Sequence, residues 1–308
     1  MQPLPDLRSR TVLVTGTTSG LGRALSGALA GAGARVLMTA RDAVRGQAAA
    51  EQAGGELVLL DLADLASVRA AALEIRERTG DRLDVLINNA GVAMGPRAET
   101  ADGFELQIGT NHLGPAALTW LLMPALRAAG GPEQPSRVVT TSSLGHRTGR
   151  LDLDDLHWKA RRYSPNAAYG ASKLANLLFA AELDRRLRLA GDPVLSVSAH
   201  PGMTESSLIQ NAFRRRGRST RWDRAFGVLD RMITQPVEDG IGPQLAAATG
   251  PVHGGDHLGP SGPAELHGPP GPARRSAAAQ DPVLAGRLWE ITTAATGITP
   301  DPGRTVWR

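Results

Sequence analysis

The chain contains no cysteine. Disulfides, a thiolate nucleophile and cysteine-ligated zinc are thereby excluded, and a reducing compartment is compatible with the composition. Aromatic residues make up only 4% of the sequence, so the stacking platforms that single-stranded nucleic acids require are lacking. No apolar run approaches the roughly 20 residues needed to span a bilayer, and the start, Met1 to Arg10, has no apolar signal core. The formal net charge of +4 is too diffuse to point to nucleic acid. The seven histidines show no ligand spacing, and His253 and His257 lie in a Gly/Pro-rich path, so no metal site is expected. A soluble cytoplasmic protein with no membrane anchor is the expectation.

What is present is alternation. Residues 11–15 form a short apolar run rich in β-branched residues, followed at once by Gly16-Thr-Thr-Ser-Gly20-Leu-Gly22 and then by Ala24, Leu25, Ala28 and Leu29 at helical spacing. Further strand-like runs cover 35–39, 56–60, 83–87, 137–141 and 194–199. Helical stretches cover 65–78 and 104–129, and another starts at Pro165, with Ser164 as N-cap and Gly191 as its stop. A last helix is expected over 282–293. Strands of about five residues between helices of ten or more predict an α/β fold: one doubly wound, Rossmann-type parallel sheet with helices on both faces. The 308 residues read as a single domain. Within it, the arginine-rich residues 203–236 are expected to form a substrate lid. Residues 254–275, dense in Gly and Pro, are expected to follow an irregular surface path.

In such a sheet, ligands bind at the carboxyl ends of the strands, and the unusual residues fall there. Gly16, Gly20 and Gly22 follow the first strand, where glycines let a backbone approach a diphosphate and a helix N-terminus favours its charge. The second strand ends Thr39-Ala40, without the carboxylate that would bind the ribose hydroxyls of NAD. Arg41 follows and can pair with a 2′-phosphate, so NADP(H) is expected and NAD(H) is less favoured, with Asp42 a possible counterweight. Asp61 ends the third strand and can accept from an adenine amine, although a helix N-terminus attracts an Asp in any case. Tyr169 and Lys173, four apart, share a helix face. A cation there is expected to lower the phenol pKa and suit the pair to proton transfer.

In this order, Thr15-Gly-x-x-x-Gly-x-Gly22, Asn88-Asn-Ala-Gly91, Asn111, Ser143, Tyr169-x-x-x-Lys173 and Pro201-Gly202 resemble the short-chain dehydrogenase/reductase family over residues 9–210. Asp102-Gly-Phe-Glu105, Thr110-Asn-His-Leu-Gly114 and the long interval from Ser143 to Tyr169 resemble its retinol dehydrogenase and protochlorophyllide reductase-like branch. The stretch Asp152 to Trp158 and Leu288-Trp289-Glu290 extend that similarity along most of the chain.

The resemblance implies catalytic roles for Asn111, Ser143, Tyr169 and Lys173. Tyr169 would exchange the proton, and Lys173 would lower its pKa and hold the nicotinamide ribose. Ser143, rather than Ser142, would hold the substrate oxygen. Asn111 would bend its helix and hold a water leading from Lys173 to solvent. The cofactor would be cradled by Gly16, Thr18, Ser19, Gly20, Leu21 and Gly22, and flanked by Arg41, Asp61 and Leu62. Asn88 and Gly91 would shape the adenosine-side floor, with Ala90 a further cofactor contact. The nicotinamide side would meet Tyr169 and Lys173, then Pro201, Gly202 and Ser206, with Thr204 the rival of Ser206. The asparagines at 88 and 89 have an alternative role in stabilising the turn. His157, Trp158 and Trp222 would line the substrate mouth or pack the core, and the run from Arg214 to Arg224 would meet an anionic substrate or form a solvated face. The implied activity is interconversion of a carbonyl and an alcohol by a homodimer or homotetramer. The polar, arginine-rich residues 203–236 depart from the lipid-facing enzymes of this branch, and a polar or polycyclic small molecule of secondary metabolism is expected as the substrate. Alternatives on the same fold are C=C or imine reduction, epimerisation, or a non-catalytic NADP-binding regulator or scaffold.

Overall fold

A computed structural model describes residues 3–204 and 235–299. The amino-terminal half alternates strand and helix: β1 (Thr11–Val14), α1 (Gly20–Gly31), β2 (Arg35–Ala40), α2 (Ala43–Ala53), β3 (Glu56–Leu59), α3 (Leu65–Arg78) and β4 (Val85–Asn88). It continues through α4 (Leu106–Ile108), a π-turn (Gly109–Leu113), α5 (Gly114–Ala129), β5 (Ser136–Thr141), α6 (Pro165–Ala190) and β6 (Val194–Ala199). β7 (His257–Pro260) and β8 (Pro270–Pro272) complete one sheet in the order β3-β2-β1-β4-β5-β6-β7-β8. Every pairing is parallel except β7 with β8.

Two-residue periodicity explains why both sheet faces are covered. Leu13, Leu37, Leu86 and Val138 face a core completed by α3, α5 and α6. Val12, Val14, Val36, Met38 and Ile87 face the opposite core, against α1, α2 and a short helix at Gly242–Thr249. The strand order reverses between β1 and β4. The crevice at that switch point is where an open parallel sheet receives its ligand.

The expected start and stop of α6 hold. Ser164 accepts from the Ala167 N–H at 3.5 Å, and Gly191 closes the helix in the left-handed conformation at φ 64°. The Gly/Pro-rich residues 254–275 do not follow an irregular surface path throughout. His257–Pro260 is a buried strand paired in parallel with β6, and Pro270–Pro272 forms the antiparallel edge. Proline lacks a ladder donor, but an edge strand with few bonds tolerates it. The stretch is too short to show a hydrophobic period.

The C-terminal helix, Pro282–Thr296, starts on Asp281, whose carboxylate accepts from the Val283 and Leu284 N–H groups at 2.9 and 3.0 Å. It locks against α5 and α6 through Trp289, which stacks on Phe179 at 5.6 Å between centroids and meets Trp120 edge-on at 4.9 Å. Trp289→Ala is expected to cost about 3–5 kcal/mol of stability in urea unfolding, from lost burial and the cavity left behind. A loss below about 1 kcal/mol would show that the helix is not docked as described.

Candidate active site

The turn after β1 is shaped by contacts that no side chain could share. A Cβ at Gly16, whose φ is 72°, would lie 2.8 Å from the Ala90 Cα, and one at Gly22 would lie 2.2 Å from the Gly16 carbonyl oxygen. Thr15 ties this turn to the next loop, its Oγ1 accepting from the Asn89 and Ala90 N–H groups at 2.9 Å each. Ser19, the N-cap of α1, makes no side-chain capping bond, and no acidic residue sits in the first turn. The helix N–H groups are thus open toward the crevice, and with Thr18, Gly20 and Leu21 this cradle fits the diphosphate of a dinucleotide.

Around the cradle, Arg41 is exposed at the end of β2, and Asp42 is occupied as the cap of α2, accepting from the Arg45 N–H at 3.0 Å. One Asp61 oxygen accepts from the Ala63 N–H at 2.9 Å. Leu62 is buried, its carbonyl lying where a Cβ at Gly114 would clash. Asn88 takes up the turn-stabilising role that the sequence offered beside a cofactor contact. Its buried amide donates to Thr119 Oγ1 on α5 at 2.9 Å, so its side chain stabilises the strand end. The Asn89 amide likewise donates to the Thr15 carbonyl at 2.9 Å.

Asn111 lies in the π-turn. Pro115 has no N–H to give the Asn111 carbonyl its ordinary i+4 bond, and the Gly114 N–H reaches back to Gly109. The Asn111 side chain is engaged: Oδ1 accepts from the Val92 N–H at 2.7 Å, and Nδ2 donates to the Val92 carbonyl and to Ser172 Oγ, each at 2.9 Å. A Cβ at Gly91 would lie 3.2 Å from Asn111 Oδ1 and 3.5 Å from Lys173 Nζ, so the loop after β4 brings those two groups together.

A buried network fixes this loop to the start of α6. Glu105 accepts from the N–H groups of Gln107 and Ile108 and from the Tyr163 hydroxyl, at 2.8–2.9 Å. Gln107 accepts from the Met94 N–H and donates to the Pro165 carbonyl, both at 3.0 Å. Burial pushes Tyr163 up to about 12, with the Glu105 charge adding to it, so Tyr163 stays a hydrogen-bond donor. The sequence marked Glu105 by resemblance alone, and Gln107 and Tyr163 carried no signal at all.

Two serines follow β5 with different orientations. Ser142 is buried and donates to the Lys173 carbonyl at 2.9 Å. Ser143, the N-cap of a 3₁₀ turn at Leu144–Arg147, accepts from the Gly145 N–H at 3.2 Å and acts on the Tyr169 phenol. Of the two, Ser143 is the one whose hydroxyl meets the Tyr169 phenol. Lys173, 4% exposed, donates to the Thr141 carbonyl at 3.1 Å, and burial lowers its pKa to about 8. The expected lowering of the Tyr169 pKa by Lys173 is not what dominates. Burial raises it, the Ser143 hydroxyl opposes the rise, and the ammonium stands 5.8 Å from the ring centroid.

Pro201 and Gly202 leave β6 beside this group, and the Gln235 amide donates to the Pro201 carbonyl at 2.8 Å. Thr204 pairs with Gln235. Ser206, Trp222, the Arg214–Arg224 run and most of the expected lid lie outside the described residues. His157 accepts from the Glu105 N–H at 3.3 Å, and Trp158 is buried beneath Tyr163 and Arg161, so both serve packing. Among the described residues, no group of three His, Asp or Glu side chains could hold a metal ion.

Residues 10–217 match the short chain dehydrogenase family. The chain is 40% identical over 304 residues to polyprenol dehydrogenase of Mus musculus, covering 96% of this chain and 86% of that protein. It is 36% identical over 303 residues to retinol dehydrogenase 11 of Homo sapiens, covering 96% and 88%. A crystal structure of an uncharacterised protein from Mycobacterium paratuberculosis superposes with a TM-score of 0.79 at 41% identity, covering 96% of this chain and 97% of that one. The chain therefore belongs to the short-chain dehydrogenase/reductase family, in its retinol dehydrogenase branch, and is an oxidoreductase acting on alcohol or carbonyl groups.

Proposed function

We propose that the chain is an NADP(H)-dependent oxidoreductase that interconverts an isoprenoid alcohol and its carbonyl form, with Tyr169 as general acid and base. The observation that carries this reading is the convergence of Tyr169, Ser143, Lys173 and the Gly91 backbone at the carboxyl ends of β4 and β5, beside the glycine cradle. A nicotinamide dinucleotide bound there supplies or takes up the hydride. Burial keeps Tyr169 a neutral phenol, the form that can protonate a developing alkoxide. The Ser143 hydroxyl holds the substrate oxygen within reach of that phenol. Lys173, fixed on Thr141, places its positive charge under the site, and the Asn111 carbonyl, which Pro115 cannot serve with an i+4 bond, takes the water that leads outward.

Preference for NADP(H) rests on Arg41, on the absence of a carboxylate at Ala40, and on the capping role that turns Asp42 toward α2. Arg41→Ala is expected to weaken NADPH binding about 10–100-fold, the value of a charge-assisted phosphate contact, with little effect on NADH. Fluorescence titration of both cofactors measures this. Tighter binding of NADH than NADPH by the unmodified protein would overturn the preference.

The substrate class comes from relatives named for retinol and polyprenol, which align along 96% of the chain. Both names denote primary allylic alcohols on isoprenoid chains. A polar or polycyclic metabolite is the second reading, favoured by the arginines between 203 and 236. A panel of retinal, short polyprenals and polycyclic ketones separates the two, and turnover of the ketones alone would reverse the choice. A cytoplasmic location and a homodimer or homotetramer belong to the same proposal. The docked C-terminal helix already occupies part of the outer surface of α6.

A further inference from the structure

Behind the site, three histidines from separate segments form one buried group. His146 lies in the turn after β5, His200 follows β6, and His257 starts β7. The His146 and His257 rings meet edge-on at 5.8 Å between centroids, and His257 lies 5.4 Å from His200. We propose that His146 is the positioning residue that aims the Ser143 hydroxyl, and that this histidine group locks the Ser143 turn to the Pro201-Gly202 turn. The proposal rests on the substrate role given to Ser143 above.

His146 Nδ1 lies 2.6 Å from the Ser143 carbonyl oxygen, and the His146 N–H reaches the same oxygen at 3.0 Å. A carbonyl only accepts, so Nδ1 carries the proton and the tautomer is fixed. With its carbonyl held twice, Ser143 cannot rotate its peptide without breaking both bonds. The same turn is the wall of the phenol: a Cβ at Gly145 would lie 3.2 Å from Tyr169 Cε1. A displaced turn therefore moves Ser143 and the Tyr169 ring together.

At the other end, His200 Nδ1 accepts from the Gly202 N–H at 3.2 Å, so its Nε2–H donates to Glu265 at 3.0 Å. Glu265 also pairs with Arg147, the neighbour of His146, at 2.7 Å. The circuit thus closes from the Ser143 turn to the Gly202 turn by two routes, one through the rings and one through Glu265. Ala264 and Glu265 both hold left-handed backbone, φ 53° and 61°, without being glycine. Such conformations persist where the surroundings over-determine them. Burial drives all three histidines below their ordinary value, to about 4 for His200 and about 2 for His257. They act as neutral hydrogen-bonding groups across the physiological range.

Two isosteric amides separate this role from plain packing. In His146→Asn the amide nitrogen takes the place of Nδ1, and in His146→Gln it takes the place of Nε2. With the full chain, NADPH and a carbonyl substrate, the Asn variant is expected to keep kcat within about threefold. The Gln variant should lose at least about tenfold in kcat with an unchanged NADPH Kd, since misplacements near 1 Å cost that much or more. In a Ser143→Ala background the difference between Asn and Gln should vanish. Equal kcat for the two variants, or a difference that persists without the Ser143 hydroxyl, overturns the positioning role. Full activity of Ser143→Ala alone would instead overturn the assignment of Ser143 itself.

Discussion

Replacing Tyr169 by Phe is expected to reduce turnover by about 1,000-fold, within the range that a positioned general acid contributes. The substitution removes one oxygen and leaves the ring, which packs against the Gly145 turn, in place. NADPH binding should therefore stay within about threefold of the unmodified protein, because the phenol oxygen is the only group lost. The buried phenol sits above its ordinary pKa, so it is protonated throughout the neutral range. The Ser143 hydroxyl cannot substitute: it orients the oxygen, but its own proton is far too weakly acidic to leave as part of the step. Single-turnover reduction of a carbonyl substrate, with NADPH preloaded, isolates chemistry from release. An unchanged rate in that measurement would remove Tyr169 from the reaction.

Much of the sheet was legible because parallel strands buried on both faces read as continuous apolar runs, and each run here ends in a residue with site chemistry. Ser143 and Ser142 show where that legibility stops. Adjacent and chemically identical, they are separated only by the extended backbone between β5 and the following turn, which directs one toward Lys173 and the other toward Tyr169. Asn88 carries the same ambiguity: its amide nitrogen is directed at Thr119 in the helix layer, a direction the sequence does not show. β7 and β8 escaped because four and three residues, rich in Gly and Pro, carry no period. The histidine group could not be foreseen, since His146, His200 and His257 are brought together only by the order β5-β6-β7. Gln107 is of the same kind: an ordinary helical glutamine in sequence, it becomes the tie between the loop after β4 and the first turn of α6.

The second large effect is expected at Lys173. Burial lowers its pKa to about 8, and a base with a depressed pKa gives up its proton at lower pH than usual. The ammonium is therefore present below about pH 8 and lost above it, well before an exposed lysine would titrate near about 10.4. If the positive charge under the phenol assists proton transfer, reduction should decline as pH rises through about 8, while Tyr169, held above its ordinary value, still carries its proton. Lys173→Met keeps the length of the side chain and removes the charge and the bond to Thr141. Turnover should fall by about 100-fold or more, and the limb near pH 8 should disappear from the profile of the residual activity. The profile is read as kcat from about pH 6 to about pH 10 with NADPH saturating. A limb that survives unchanged in the Met variant belongs to another group, and the charge of Lys173 would then have no part in the proton step.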